Sequence, residues 1–241
     1  MKSVYNICKI RTGLSFKSPV WIVSAVSVFT FVGIMYLVTP VYVCSSFLLS
    51  SMFMFFLGIY IAMSIHDREN DVFEEALLLH CDKERVYLIS REIITLVMCI
   101  LFSSFLTFYP VVRALLKPSF FMRSLTAYDV ICGGLFIFLC GLCGLQTGDF
   151  VHPRFINKKP GVAALLMFLA LTVCKYGLVS KASVFRILDI ITPPVLDSFK
   201  LLGDKDVFVK GVGFIMIRLL IYAVVVMIVK IIFLKKHRYR Y

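Results

Sequence analysis

Long apolar runs alternate with short polar stretches along the whole chain, and six of the runs reach or approach membrane-spanning length: Val20–Val38, Tyr42–Ile65, Val86–Val112, Tyr128–Gly148, Gly161–Ser180 and Gly211–Leu234. A helix rises about 1.5 Å per residue, so about 20 mostly apolar residues cross a hydrocarbon layer of about 30 Å. Backbone N–H and C=O groups cannot stay unpaired in lipid, so runs of this length are expected to be helical. Alternation of the kind a barrel strand needs is absent. The pattern predicts an all-α membrane protein, with residues 1–241 forming a single transmembrane domain of six spans.

Composition agrees: 60% of the residues are hydrophobic, 17% are charged, and the mean hydropathy is +0.92. Basic residues set the expected topology. With the N-terminus inside, fifteen Lys and Arg lie on the cytosolic side and nine on the outer side, which places both termini in the cytosol. The net charge of +12 then reflects topology and attraction to anionic membrane lipids. Nucleic-acid binding is not expected, because no soluble basic domain exists to carry it.

Residues 1–18 mix apolar side chains with four basic ones and predict an interfacial helix on the inner leaflet. The loop Thr39–Val41 is so short that the first two spans form a hairpin. In the fourth span Gly141, Gly144 and Gly148 share a face and mark a seam of close helix approach, either within one chain or between two. Residues 181–210 are expected to form a short helical outer segment before the last span, broken at Pro193-Pro194.

Candidate chemistry is sparse. Of eight cysteines most lie within spans, and Cys140–Cys143 is read as packing rather than as a redox or metal pair. The four histidines are dispersed, and Asp149 with His152 is read as a solvated helix end. Lys230, one turn from the inner end of the last span, is expected to snorkel. Arg218, deeper in the same span, is expected to face protein, a lipid phosphate or a translocation path, with Asp129 as its partner. No G-x-x-x-x-G-K-[ST] loop is present, so the chain is not expected to bind ATP or act as an enzyme itself.

The acids are distributed unevenly. The stretch His66–Arg85 holds Asp67, Glu69, Asp71, Glu74, Glu75, Asp82 and Glu84, seven of the 14 in the chain. Asp71 with Glu74 three residues later resembles a capping box, and Val72, Phe73, Ala76, Leu77 and His80 then share one side of a short helix. Helices that lie on membranes usually carry Lys or Arg on their polar face. An acidic one is repelled by anionic lipid and suits a basic protein groove.

The residues Glu69-Asn70-Asp71-Val72-Phe73-Glu74-Glu75-Ala76-Leu77-Leu78-Leu79, then Asp82-Lys83, then Arg91, resemble the loop after the second span of type-2 ABC exporter permeases. That loop reads Glu-x-Gly-Thr-x-Glu-x-Leu-Leu, then Pro-x-Ser-Arg, then a Lys at the third span. Here Asp71-Val72 replaces Gly-Thr and His80 replaces the proline. Ile191-Thr192-Pro193-Pro194 is similar to a Ser/Thr-Pro pattern in the family's last outer segment. The resemblance implies a bacterial plasma-membrane permease half with a cytosolic coupling helix at Asp71–Leu79, using Glu69, Asp71, Phe73, Glu74, Glu75, Leu77 and Lys83 to bind a separate ATP-binding cassette subunit. ATP and Mg would then be held by that subunit, and a second permease half, identical or related, would complete an export path. The 23 Phe and 11 Tyr fit an amphipathic or hydrophobic cargo such as a peptide, lipid or drug. The alternative is a non-transporting scaffold or immunity protein that binds a cytosolic partner through the same helix.

Overall fold

The computed structural model describes residues 7–9, 12–13, 19–66, 84–150, 158–179, 192–197, 206–208 and 211–236. Each of the six apolar runs is helical: α1 (Pro19–Met35), α2 (Val43–His66), α3 (Glu84–Leu116), α4 (Ala127–Gly148), α5 (Lys158–Val179) and α6 (Val212–Lys236). A 3-10 turn, Pro118–Phe120, follows α3, and no sheet forms among the described residues. By length and composition four helices can cross a membrane: Val43–Ile65, Val86–Leu116, Ala127–Gly148 and Val212–Leu234. The apolar helices Pro19–Met35 and Pro160–Cys174 are shorter. Of the N-terminal segment, 7–9 and 12–13 are helical and Ile7 is buried.

The bundle is built around α4. Two thirds of its apolar stretch (67%) is buried, against 17% for α6, which turns most of its apolar surface outward. Such an outward face is stable only where the surroundings are themselves apolar. Helices α2 and α4 run parallel in backbone contact, while α3 packs antiparallel on α4 and α6 lies along another side.

Small residues make the α2–α4 approach possible. A Cβ added to Gly144 would lie 2.0 Å from the Phe55 carbonyl oxygen, and one on Gly148 would lie 2.7 Å from that of Ile59. From the other helix, a Cβ on Gly58 would lie 2.7 Å from the Gly141 carbonyl oxygen. The glycine seam is therefore filled within the chain by α2. Without a hydrophobic force between helices in lipid, such close backbone approach is a main source of helix association.

At the end where α2, α4 and α6 begin, here called the distal end, short segments are tied to the bundle. The Thr39–Val41 loop does not stand alone: Val41 exchanges backbone hydrogen bonds with Phe120 and Met122, at 3.1 and 3.0 Å. Thr126 and Asp129 form a capping box at the start of α4. Asp129 also accepts two hydrogen bonds from Arg123, at 2.7 and 2.8 Å, which raise the guanidinium pKa further. Asp206, with φ of 53°, caps α2 by accepting from the Val43 and Cys44 amides at 2.6 and 3.0 Å. Its carbonyl oxygen accepts from Arg123 Nε at 2.9 Å. One aspartate thus ties the stretch 206–208, just ahead of α6, to α2 and, through Arg123, to α4.

Asp206→Ala is expected to cost about 0.5–2 kcal/mol through the lost cap. Asp206→Asn keeps an acceptor and tolerates the left-handed backbone, so it should cost less. Thermal unfolding of the purified chain, with hydrogen exchange at Val43 and Cys44, measures both.

Candidate functional site

The predicted docking residues Glu69, Asp71, Phe73, Glu74, Glu75, Leu77 and Lys83 lie outside the described residues, as do Ser183–Ile191 and His152. What is described is where that acidic stretch leads. Helix α3 begins at Glu84 and continues without interruption, so two turns further on Arg91 and Glu92 are carried into the bundle. There they meet Gln146 and Asp149 from the end of α4 and Lys230 from the end of α6.

These five side chains form one polar network at the proximal end of the bundle, where α3 starts and α4 and α6 finish. Lys230 Nζ donates to Asp149 Oδ2 at 2.6 Å and to Gln146 Oε1 at 2.7 Å, and it pairs with Glu92 Oε1 at 2.5 Å. An ammonium has three N–H donors, and three acceptors surround this one. Gln146 Nε2 donates to Glu92 Oε2 at 2.8 Å. Arg91 Nη2 donates to Asp149 Oδ1 at 3.2 Å. Lys230, Asp149 and Arg91 are 0%, 1% and 2% exposed, while Glu92 is 21% exposed.

Among the described residues two cations face two carboxylates, so this part of the network is formally neutral. That balance allows charges to sit in an apolar bundle, where a lone one costs about 2.5–3.5 kcal/mol even on insertion scales. The arrangement corrects two expectations. Lys230 does not snorkel to the membrane surface, because acceptors from α3 and α4 lie within hydrogen-bond reach of its buried ammonium. Asp149 is not a solvated helix end, because Arg91 and Lys230 cover it.

Arg218 also departs from expectation. Among the described residues it pairs with Asp197, at 3.0 Å, and not with Asp129, which is engaged by Arg123 and Thr126. Asp197 belongs to the described stretch 192–197 between α5 and α6, in which Thr192, Val195 and Asp197 are buried. The segment therefore folds back onto the bundle at the depth of the second turn of α6. Arg218 keeps 36% exposure on its other side.

Cys140 and Cys143 are buried in α4, and the Cys143 thiol lies 3.4 Å from the Leu219 carbonyl oxygen. Among the described residues no three His, Cys, Asp or Glu side chains group as a metal site. Comparison with family models, curated proteins and solved structures finds no match to this chain. What the described residues show at this site is a clamp of paired charges that joins α3, α4 and α6.

Proposed function

We propose that the chain is the permease subunit of an ATP-driven exporter, with six spans and both termini in the cytosol of a bacterial cell. In this reading the acidic stretch 66–85 is the coupling element, docked in a basic groove of a separate ATP-binding cassette subunit. The observation that carries it is the continuity of α3. The helix that emerges from the acidic stretch holds Arg91 and Glu92 two turns later, and these are ion-paired to α4 and α6.

A displacement of the docked segment would thus move three helices together rather than bend one. ATP, with its Mg, would be bound and hydrolysed in the partner, and closure of the nucleotide subunits would supply the displacement. A second permease half, identical or related, would complete the path for an amphipathic or hydrophobic cargo. Arg218 stands near the distal end of α6 with one side exposed, where it would meet cargo or a lipid phosphate.

Docking is tested first by co-purification from membranes. The wild-type chain should retain an ATP-binding cassette subunit, and Glu74→Lys with Glu75→Lys should release it at least about tenfold faster, since reversing charges in a complementary interface turns attraction into repulsion. Equal retention by the reversed variant would remove the acidic stretch from the interface.

A further inference from the structure

The two helices clamped by Lys230 and Glu92 are otherwise held apart. Both α3 and α6 pack on α4 but make little direct contact with each other, and a cavity of about 510 Å³ fills the gap. Its walls are almost wholly apolar, with Leu88 and Leu96 from α3, Leu142 from α4, and Val224 and Met227 from α6. Its volume lies in the range of small-molecule pockets, and it opens sideways, towards the surroundings of the bundle.

The polar groups that border it are not symmetric in charge. Glu92 and Gln146 line the cavity, whereas Lys230 and Arg91 do not and are withdrawn behind them at 0% and 2% exposure. Glu92 uses one oxygen towards Lys230 and the other towards Gln146. A carboxylate has about four lone-pair sites, so acceptor capacity remains on the cavity side. Thr95 turns its hydroxyl to the backbone of its own helix, at 2.9 Å from the Glu92 carbonyl oxygen, and offers the cavity no free donor. An entering molecule therefore meets apolar walls and an anionic acceptor at one end.

We infer that this cavity is a binding site for an amphipathic amine, with its aliphatic or aromatic body between α3 and α6 and its ammonium on Glu92. An anionic head is repelled by the same carboxylate, and a neutral alcohol gains only an uncharged hydrogen bond, about half as strong. The site does not rest on the exporter reading, because it needs no nucleotide subunit and no second permease half.

The test uses the full chain in zwitterionic lipid nanodiscs, labelled with a dodecylamine that carries a tail diazirine, and maps the adducts by mass spectrometry. Adducts are expected to concentrate on residues 88–96 and 220–231. Dodecylamine should compete roughly tenfold better than dodecanol, the ratio expected for one charge-assisted hydrogen bond, and dodecyl sulfate should compete least. Glu92→Gln should bring amine and alcohol level. Val224→Trp, a change at the outward-facing rim, should abolish site labelling even if Glu92→Gln perturbs the fold. Adducts spread evenly over the apolar surface, or undiminished in Val224→Trp, overturn the site. Dodecanol or dodecyl sulfate competing as well as the amine overturns its ligand class.

Discussion

Replacing Lys230 with Met should lower the unfolding temperature of the detergent-purified chain by roughly 6–20 °C, the shift expected for a loss of about 3–5 kcal/mol in a chain of this size. Methionine matches the length of the lysine stem and fills the space, so packing alone would not be costly. The loss comes from the acceptors left behind. Glu92, Asp149 and Gln146 would lose a shared ammonium at 2.5, 2.6 and 2.7 Å, and among the described residues of the network one cation, Arg91, would remain for two carboxylates. Burying an unmatched charge is far more expensive than removing a matched pair. The double variant Lys230→Met/Glu92→Gln should therefore recover part of the loss, since Arg91 and Asp149 then balance each other. Thermal unfolding followed by size-exclusion chromatography measures all three chains. A double variant less stable than Lys230→Met would show that charge balance is not what holds the clamp.

The second large effect belongs to the α2–α4 seam. Gly144→Ala is expected to destabilise by about 1–3 kcal/mol, and Gly144→Leu by more, because the obstacle is backbone. The new Cβ meets the Phe55 carbonyl oxygen at 2.0 Å, its carbon at 2.9 Å and its Cα at 3.0 Å, so no rotamer change relieves the clash. The helices must separate, and every contact along the seam loosens with them. Gly134→Ala should be milder, since its nearest neighbour is the Thr107 side chain at 3.0 Å. Gly213→Ala, which meets nothing within 4 Å, should be neutral or stabilising by about 0.5–1 kcal/mol through helix propensity. The rank order Gly213, Gly134, Gly144 in thermal unfolding would separate seam contacts from the general effect of losing a glycine.

The helices themselves were legible in the sequence because lipid-length apolar runs have few alternatives to a helix. The glycine seam was legible in part. Spacing placed Gly141, Gly144 and Gly148 on one face, yet it did not reveal that α2 occupies that face. Gly58, which completes the contact, is a single glycine in its run and has no spacing of its own.

The proximal network was missed for a different reason. Arg91, Glu92, Gln146, Asp149 and Lys230 come from three helices, and the pairs span 54 residues of sequence (Glu92–Gln146) to 138 (Glu92–Lys230). Taken singly, each stands near a helix end, where a charged side chain can reach water. Their common depth and opposite signs were the available signal, since two cations and two acids at one level can neutralise each other. Asp129 carried a local signal as well: Thr126-x-x-Asp129 has the spacing of a capping box, which commits the aspartate to its own helix start and away from Arg218. Depth alone could not choose between Asp129 and Asp197 for Arg218, because the stretch 192–197 folds back to reach it.

ATP turnover by the candidate nucleotide subunit, reconstituted with this chain in lipid vesicles, tests most directly whether the acidic stretch and the clamp form one coupling path. Stimulation should require the chain and collapse when Glu74 and Glu75 are both changed to Lys. With Glu92→Gln the subunit should still bind, while stimulation falls several-fold, because the docked segment then pulls on a weakened clamp. Turnover that is the same with and without the chain, or indifferent to both sets of substitutions while the proteins stay folded and associated, would contradict the exporter reading. It would also leave the acidic stretch as a docking surface of a protein that transports nothing.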